Sequence, residues 1–324
     1  MKLTRPFFVL APMDEVTETV FRQIVQGCAP ADLYFTEFVN VDGLQSPGRP
    51  KLLKKLRFTV GEGPLVAQLW GLKPENFEIT AREIADGTMA KELGLPDGVN
   101  FVGIDINMGC PAKSEVQNGA CSALIKNRPL AQEIIEATIK GAGDMPVSVK
   151  TRLGFNEIDL TWHEFLLGFD IKMLTVHGRT RKEMSKVPAH WDQIGEVVKL
   201  RDKVAPKVQI VGNGDVLSRK QGEELAEQYG WDGVMIGRGI FQDPFVFAKE
   251  SPWEGKSRED RMELLRHHVT LFEQTWHDER RFETLKKFAK VYISDYEGAK
   301  EQREEIMATN SYEELLNILP NQKV

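Results

Sequence analysis

Short apolar runs with β-branched and aromatic character recur along the chain. Each is followed by a stretch in which apolar residues return every three or four positions. The runs cover residues 7–11, 33–36, 65–70, 102–107, 147–151, 173–177, 208–212 and 233–237. The intervening periodicity predicts helices over 17–26, 74–93, 129–141, 192–204 and 218–229, with Thr, Asn, Asp or Ser near their starts, where an N-cap belongs. Eight β-then-α units in about 250 residues predict a (β/α)8 TIM barrel of the α/β class. The competing architecture, a doubly wound sheet, uses fewer strands and carries a glycine-rich loop after the first. Here the first run ends in Ala11-Pro12-Met13-Asp14, and neither GxGxxG nor a P-loop occurs.

The pattern changes after the eighth unit. Ser251-Pro252-Trp253-Glu254-Gly255 reads as a linker, and residues 258–319 show helical period only. Helices are predicted over 258–276, 282–296, 299–307 and 312–319, with Ser257 and Ser311 as caps. The expected division is a barrel over 1–250, a linker over 251–257 and a small all-α helical-bundle domain over 258–324.

Composition narrows the function classes. At 41% hydrophobic and 28% charged residues the 324-residue chain is ordinary globular protein. A net charge of −6 argues against coating nucleic acid by bulk charge. The average hides local surfaces, however. Residues 280–290 carry five cations against one acid, residues 49–57 carry five cations and no acid, and residues 291–319 carry two cations against seven acids. Three cysteines, an odd and small number, read as reduced thiols of a cytoplasmic protein. No signal-like or membrane-spanning run is present in the sequence, and nothing in it indicates an obligate dimer, so a monomer is expected.

In a barrel of this kind functional groups gather at the C-terminal ends of the strands. Those positions hold Met13 and Asp14, Thr36 and Glu37, Gln68, Asn107 through Cys110, Lys150 and Arg152, His177 and Arg179, Asn213 through Asp215, and Gly237 with Arg238. Each has a structural explanation by itself; together they point to a site. Gly212-Asn213-Gly214-Asp215 and Gly237-Arg238-Gly239 suit a phosphate, because glycines let backbone N–H groups approach an anion and a guanidinium pairs with it. The alternative is two tight turns and a surface arginine. Asp215, which would repel a phosphate, is expected to serve the turn or a helix start. Lys150 either stabilises a ligand that gains negative charge or pairs with a buried carboxylate. His177 can be an acid, a base, a neutral donor or a structural residue. Cys110, held between Gly109 and Pro111, carries a thiol suited to general-acid work, with an ordinary pKa of about 8.5. Cys28 and Cys121 end no strand and are expected to be small apolar fillers. No His or Cys has metal-ligand spacing beside it, so no metal is expected.

These residues carry a resemblance. The pieces APMDEVTETVFR, TEFV, AQLWG, DINMGCPAK, VSVKTRLG, TVHGRTR, GNGDV and IGRGIF, in this order, resemble the tRNA-dihydrouridine synthases, flavin enzymes that reduce particular uridines of tRNA. The resemblance extends to the C-terminal helices, which look like the family's RNA-binding domain. It implies bound FMN, NADPH as the transient reductant and tRNA as the partner. By the same resemblance Pro12, Met13 and Asp14 line the flavin, and Gln68 and Lys150 hydrogen-bond its ring. His177, Asn213, Gly214, Asp215, Gly237 and Arg238 hold its ribityl and phosphate end. Asn107 contacts the uracil, Cys110 donates the proton to C5, and Arg179, Arg281, Lys286, Lys287 and Lys290 meet the RNA. Two features depart from the family's pattern: Cys121 stands where relatives usually carry glycine, and residues 38–63 are atypical. Two other readings stay open at this stage, an FMN barrel that reduces a free small molecule and a non-catalytic RNA-binding barrel.

Overall fold

Strand alternation sets the layers of the molecule. The computed structural model describes residues 3–277, 279–294 and 296–319. Its strands are β1 Phe7–Leu10, β2 Leu33–Phe35, β3 Val39–Asn40, β4 Leu65–Trp70, β5 Gly103–Met108, β6 Val147–Gly154, β7 Met173–Thr180, β8 Gln209–Asn213 and β9 Gly233–Ile236. All pairings are parallel; β1 lies between β2 and β9, and β2 pairs directly with β4, which closes an eight-stranded barrel. The two-residue β3, absent from the sequence reading, only extends the edge of β4.

Successive side chains on a strand point to opposite faces. Phe7, Val9, Leu33, Phe35, Val66, Met173, Val211 and Met235 therefore fill the barrel interior. Residues of the opposite parity, such as Phe8, Leu10, Ile104, Ile106, Val149 and Val176, form the second core between barrel and helices. Complete burial of each such side chain stabilises by about 1.5–3 kcal/mol. The same parity continued to the strand ends puts Gln68, Asn107, Lys150, His177 and Asn213 at the mouth. This is why residues remote in sequence share one site.

The helices lie at Thr19–Cys28, Pro74–Ala85, Thr88–Glu92, Arg128–Ala142, Leu160–Leu167, Trp191–Val204 and Arg219–Tyr229, with short ones in the connecting loops. The expected helix over 74–93 is broken at Gly87, whose φ of +83° lies in the left-handed region. The first helix is capped by Glu18, whose carboxylate accepts from the N–H groups of Val20 (2.9 Å) and Phe21 (2.8 Å).

The C-terminal region follows as helices Arg258–Trp276, Ala299–Ala308 and Tyr312–Ile318, with Ser257 and Ser311 as N-caps. The helix expected over 282–296 forms only as Glu283–Lys286 and Ala289–Tyr292, and one of its residues, Asp295, lies outside the described residues. Tertiary packing overrides the local period here, since Phe288 wedges between Phe21 and His268, each at 4.8 Å between ring centroids. Residues 251–257 are no free tether: Trp253 is buried and carries the Arg261 guanidinium on its ring at 4.5 Å. Trp276 donates its Nε1–H to Glu18 (2.6 Å), and Arg280 pairs with the buried Glu37, so the helical region is anchored on the barrel.

Candidate active site

The mouth opens into a cavity of about 870 Å³ lined by the ends of β1 and β4–β9. On one wall, a chain of buried amides and a carboxyl fixes the turn after β5. Asp105 accepts from Ser148 (2.6 Å) and from Gln68 Nε2 (2.7 Å). Gln68 Oε1 accepts from Asn107 Nδ2 (3.2 Å), and Asn107 Oδ1 accepts from the N–H groups of Gly109 (3.1 Å) and Cys110 (2.9 Å). Burial pushes the Asp105 carboxyl up to about 6. The Asn107 oxygen is thus committed to the turn, while its amide nitrogen, with one N–H given to Gln68, keeps a second donor on a residue that lines the cavity.

Cys110 lines the cavity with its thiol half-buried. A hydrogen bond with the Cys121 thiol brings it down to about 7 against the effect of burial; the Ala112 N–H and the Arg152 guanidinium act in the same direction. Cys121, expected to be an inert filler, is fully buried beneath Cys110, and its φ of +54° explains why glycine suits this position. Arg152 joins two loops: Nε donates to Gly109 (2.7 Å), and Nη1 donates to Thr180 (3.2 Å) and Met184 (3.1 Å). On the neighbouring strand β6, level with Asn107, Lys150 donates to Asn213 Oδ1 (3.4 Å). Burial and Arg152 bring its ammonium down to about 8, so it remains a cation at neutral pH.

The far end of the cavity suits an anion. Gly214 adopts φ +122°, where a Cβ would be strained and would lie 3.0 Å from Ala189 Cβ. His177 is kept neutral: burial, with the cations Arg152, Lys150, Arg179 and Arg238, holds its imidazole well below the ordinary range. Arg179 lies 3.2 Å from His177 Nε2, so that nitrogen accepts and the ring hydrogen sits on Nδ1 as a donor. Asp215 accepts from Arg179, from Ala189 N–H (2.9 Å) and from Arg238 (3.1 Å). Its carboxylate tethers two guanidiniums at this end, and the helix that follows is capped by Ser218 instead.

Most of the expected site residues converge: Pro12, Met13, Gln68, Asn107, Cys110, Lys150, His177, Arg179, Asn213, Gly214, Asp215, Gly237, Arg238, Lys287 and Lys290 all line this one cavity. Several residues depart from the places expected of them. The Asp14 carboxylate turns outward to Lys55. Arg179, expected at the RNA, is 3% exposed and donates to Val187 (2.6 Å) within the anion end. Lys286 is buried, with its ammonium on the carbonyls of Met307 (3.1 Å) and Thr309, where it caps the helix Ala299–Ala308. Arg281 is exposed and lies outside the cavity lining. The basic run 49–57 is largely neutralised: Arg49 pairs with Glu83 (3.0 Å) and Glu92 (2.6 Å), Lys55 with Asp14, and Arg57 with Glu279 (2.8 Å). Met184, Ser185, Phe38 and Gln242 also line the cavity, and no strand-end pattern marks them. Among the described residues no group of three or more His, Cys, Asp or Glu could hold a metal ion, and no helix is long and apolar enough to cross a membrane.

Comparison with known proteins agrees with this geometry. The dihydrouridine synthase (Dus) family model matches residues 9–324. The chain is 47% identical over 323 residues to the probable tRNA-dihydrouridine synthase 2 of Bacillus subtilis (strain 168), covering 98% of this chain and 94% of that one. It is 46% identical over 322 residues to the probable tRNA-dihydrouridine synthase of Staphylococcus aureus (strain Mu50 / ATCC 700699), covering 98% and 93%. Among solved structures, morphinone reductase shares the barrel fold at a TM-score of 0.50 and 14% identity, over 76% of this chain and 85% of that one.

Proposed function

The chain belongs to the dihydrouridine synthase family, and from that premise we propose that it reduces the C5=C6 bond of uridines in tRNA, using bound FMN and NADPH. The observation that carries the reading is the layout of one cavity. A thiol on a rigid turn lies beside a lysine of the neighbouring strand, and a glycine, a neutral histidine and two arginines line the far end. That arrangement fits FMN, with its phosphate at Gly214, Gly237 and Arg238, and its ring near Pro12, Met13, Gln68 and Lys150. Bound there, the flavin supplies a two-electron carrier that NADPH reduces and that can reduce a conjugated C=C bond.

The remaining steps belong to the side chains. Lys150 keeps a cation where the reduced cofactor carries negative charge. The free Asn107 N–H can hold a uracil carbonyl. Cys110 S–H delivers the proton to C5, where charge develops as C6 is reduced. His177 donates from Nδ1 without changing its charge. The barrel forms the catalytic unit, and the C-terminal helices form the RNA-facing unit through Lys287 and Lys290. We take the working unit to be a monomer acting in the cytoplasm. A uridine must leave its stack to reach the thiol, which favours unpaired loop positions.

The decisive experiment is an assay of the purified protein. It is expected to carry FMN, to form dihydrouridine in tRNA at the expense of NADPH, and to leave free uridine unreduced. Equal turnover on free uridine would favour the small-molecule reductase reading. The acid must be protonated, so single-turnover reduction of tRNA is expected to fall as pH rises through about 7, the value to which Cys110 is brought. A flat profile from pH 6 to 9 would remove Cys110 as the donor.

The lysines separate in a second test. The paired substitutions Lys287→Ala and Lys290→Ala are expected to weaken tRNA binding and to lower the salt slope by roughly 0.7–0.9 per lost phosphate contact, with NADPH oxidation unchanged. Lys286→Ala is instead expected to lower the unfolding midpoint, because it strips the carbonyls of Met307 and Thr309 of their donor.

A further inference from the structure

We propose that Cys110 and Cys121 form a reversible dithiol site for small peroxides, closing to a disulfide that takes the acid group out of service. The consequence for turnover rests on the reading of Cys110 as proton donor; the dithiol chemistry does not. Three features carry it. Each thiol is the first influence on the other's pKa, lowering that of Cys110 and raising that of Cys121. The segments that hold them are tied together, with the Ser122 N–H donating to the Cys110 carbonyl at 3.3 Å. Cys121 is also a buried non-glycine residue held at φ +54°, so the chain keeps a sulfur there against its backbone preference.

The two sulfurs are unequal, as a sensor pair requires. Cys110 opens on the cavity and is the more acidic, whereas Cys121 is fully buried and held as the thiol by its partner and by burial. In the first step the Cys110 sulfur attacks hydrogen peroxide. The O–O bond breaks, one water leaves after taking up a proton, and Cys110 becomes the sulfenic acid. The Cys121 sulfur then attacks the Cys110 sulfur. The S–O bond breaks, the hydroxyl leaves as a second water with the Cys121 proton, and the S–S bond forms. The two thiols lose two electrons, and one peroxide is reduced to two waters. The third cysteine, Cys28, serves as an internal control, since burial pushes its thiol up to about 12.

The test exposes the full-length FMN-loaded protein to hydrogen peroxide, maps the cysteines by mass spectrometry after alkylation with iodoacetamide, and assays tRNA reduction in parallel. The expected result is a peptide cross-linked through Cys110 and Cys121, with Cys28 still alkylated. tRNA reduction should fall by about a hundredfold and return with dithiothreitol. Cys121→Gly tolerates the left-handed backbone and should fold. In that variant the same treatment should drive Cys110 to the sulfinic acid, and dithiothreitol should restore nothing. Wild-type protein in which Cys110 reaches sulfinic acid while Cys121 remains alkylated would overturn the proposal. A cross-link that forms without loss of tRNA reduction would uphold the dithiol and overturn Cys110 as the acid.

Discussion

Cys110→Ala is expected to lower tRNA reduction by about 10²–10⁴-fold while leaving the protein folded, flavin-loaded and able to oxidise NADPH. The separation follows from what surrounds the thiol. The turn that presents Cys110 is held by the Asn107 carbonyl through backbone N–H groups, so an alanine keeps its shape. Arg152 grips the Gly109 carbonyl, which the substitution does not touch. The anion end, with Gly214, His177 and Arg238, belongs to other strands. Only the step that needs a proton at C5 loses its donor. The comparison to make is NADPH oxidation under air against dihydrouridine formed in tRNA, on the same preparation. A parallel fall in both would mean that Cys110 supports the cofactor rather than the acid step.

Arg280→Met is expected to destabilise the protein by about 3–5 kcal/mol, the usual consequence of leaving a buried charge without its partner. Glu37 is fully buried at the end of β2, and Arg280 reaches it from the helical region with its side chain only 8% exposed. Glu37 also accepts the Glu15 N–H at 2.7 Å, so it cannot turn away without releasing the loop after β1. The Arg280 guanidinium lies over Trp276 at 4.5 Å, and Arg57 faces the same ring at 4.8 Å. Lys287 and Lys290 follow a few residues later and line the cavity, so undocking this segment should also weaken tRNA turnover. Urea unfolding followed by tryptophan fluorescence measures the loss. The double variant Glu37→Gln with Arg280→Met should recover part of it, because the Glu37 charge leaves with its partner while the buried Glu18 still loses the nearby guanidinium. A single variant as stable as the wild type would show that the pair contributes nothing to docking.

Much of this could be read along the chain. Eight short apolar runs, each followed by a stretch of helical period, were enough to order the strands, and their C-terminal ends marked Gln68, Asn107, Lys150, His177 and Asn213 as mouth residues. Glycines and a Gly-Cys-Pro turn are equally local, and they located the anion end and the thiol. The helix over 282–296 was misread because its apolar residues satisfy helical period while Phe288 is held by Phe21 and His268, which lie far away in sequence.

The charged residues divide along the same line. A run of five cations at 280–290 looks like one RNA-facing patch, yet Arg280 belongs to Glu37 and Lys286 to two helix-end carbonyls, leaving at the cavity Lys290 and Lys287, the latter also 3.7 Å from the exposed Glu15 carboxylate. The run at 49–57 is likewise paired with Asp14, Glu83, Glu92 and Glu279. The sequence by itself determined the barrel, the order of its mouth residues and the chemistry available there, because these follow from backbone geometry over a few residues. Which cations keep their charge for a ligand, and that Cys121 stands beneath Cys110, only the tertiary structure decided. An ion pair or a thiol contact depends on distances between segments far apart in the chain, and those exist only once the barrel has closed.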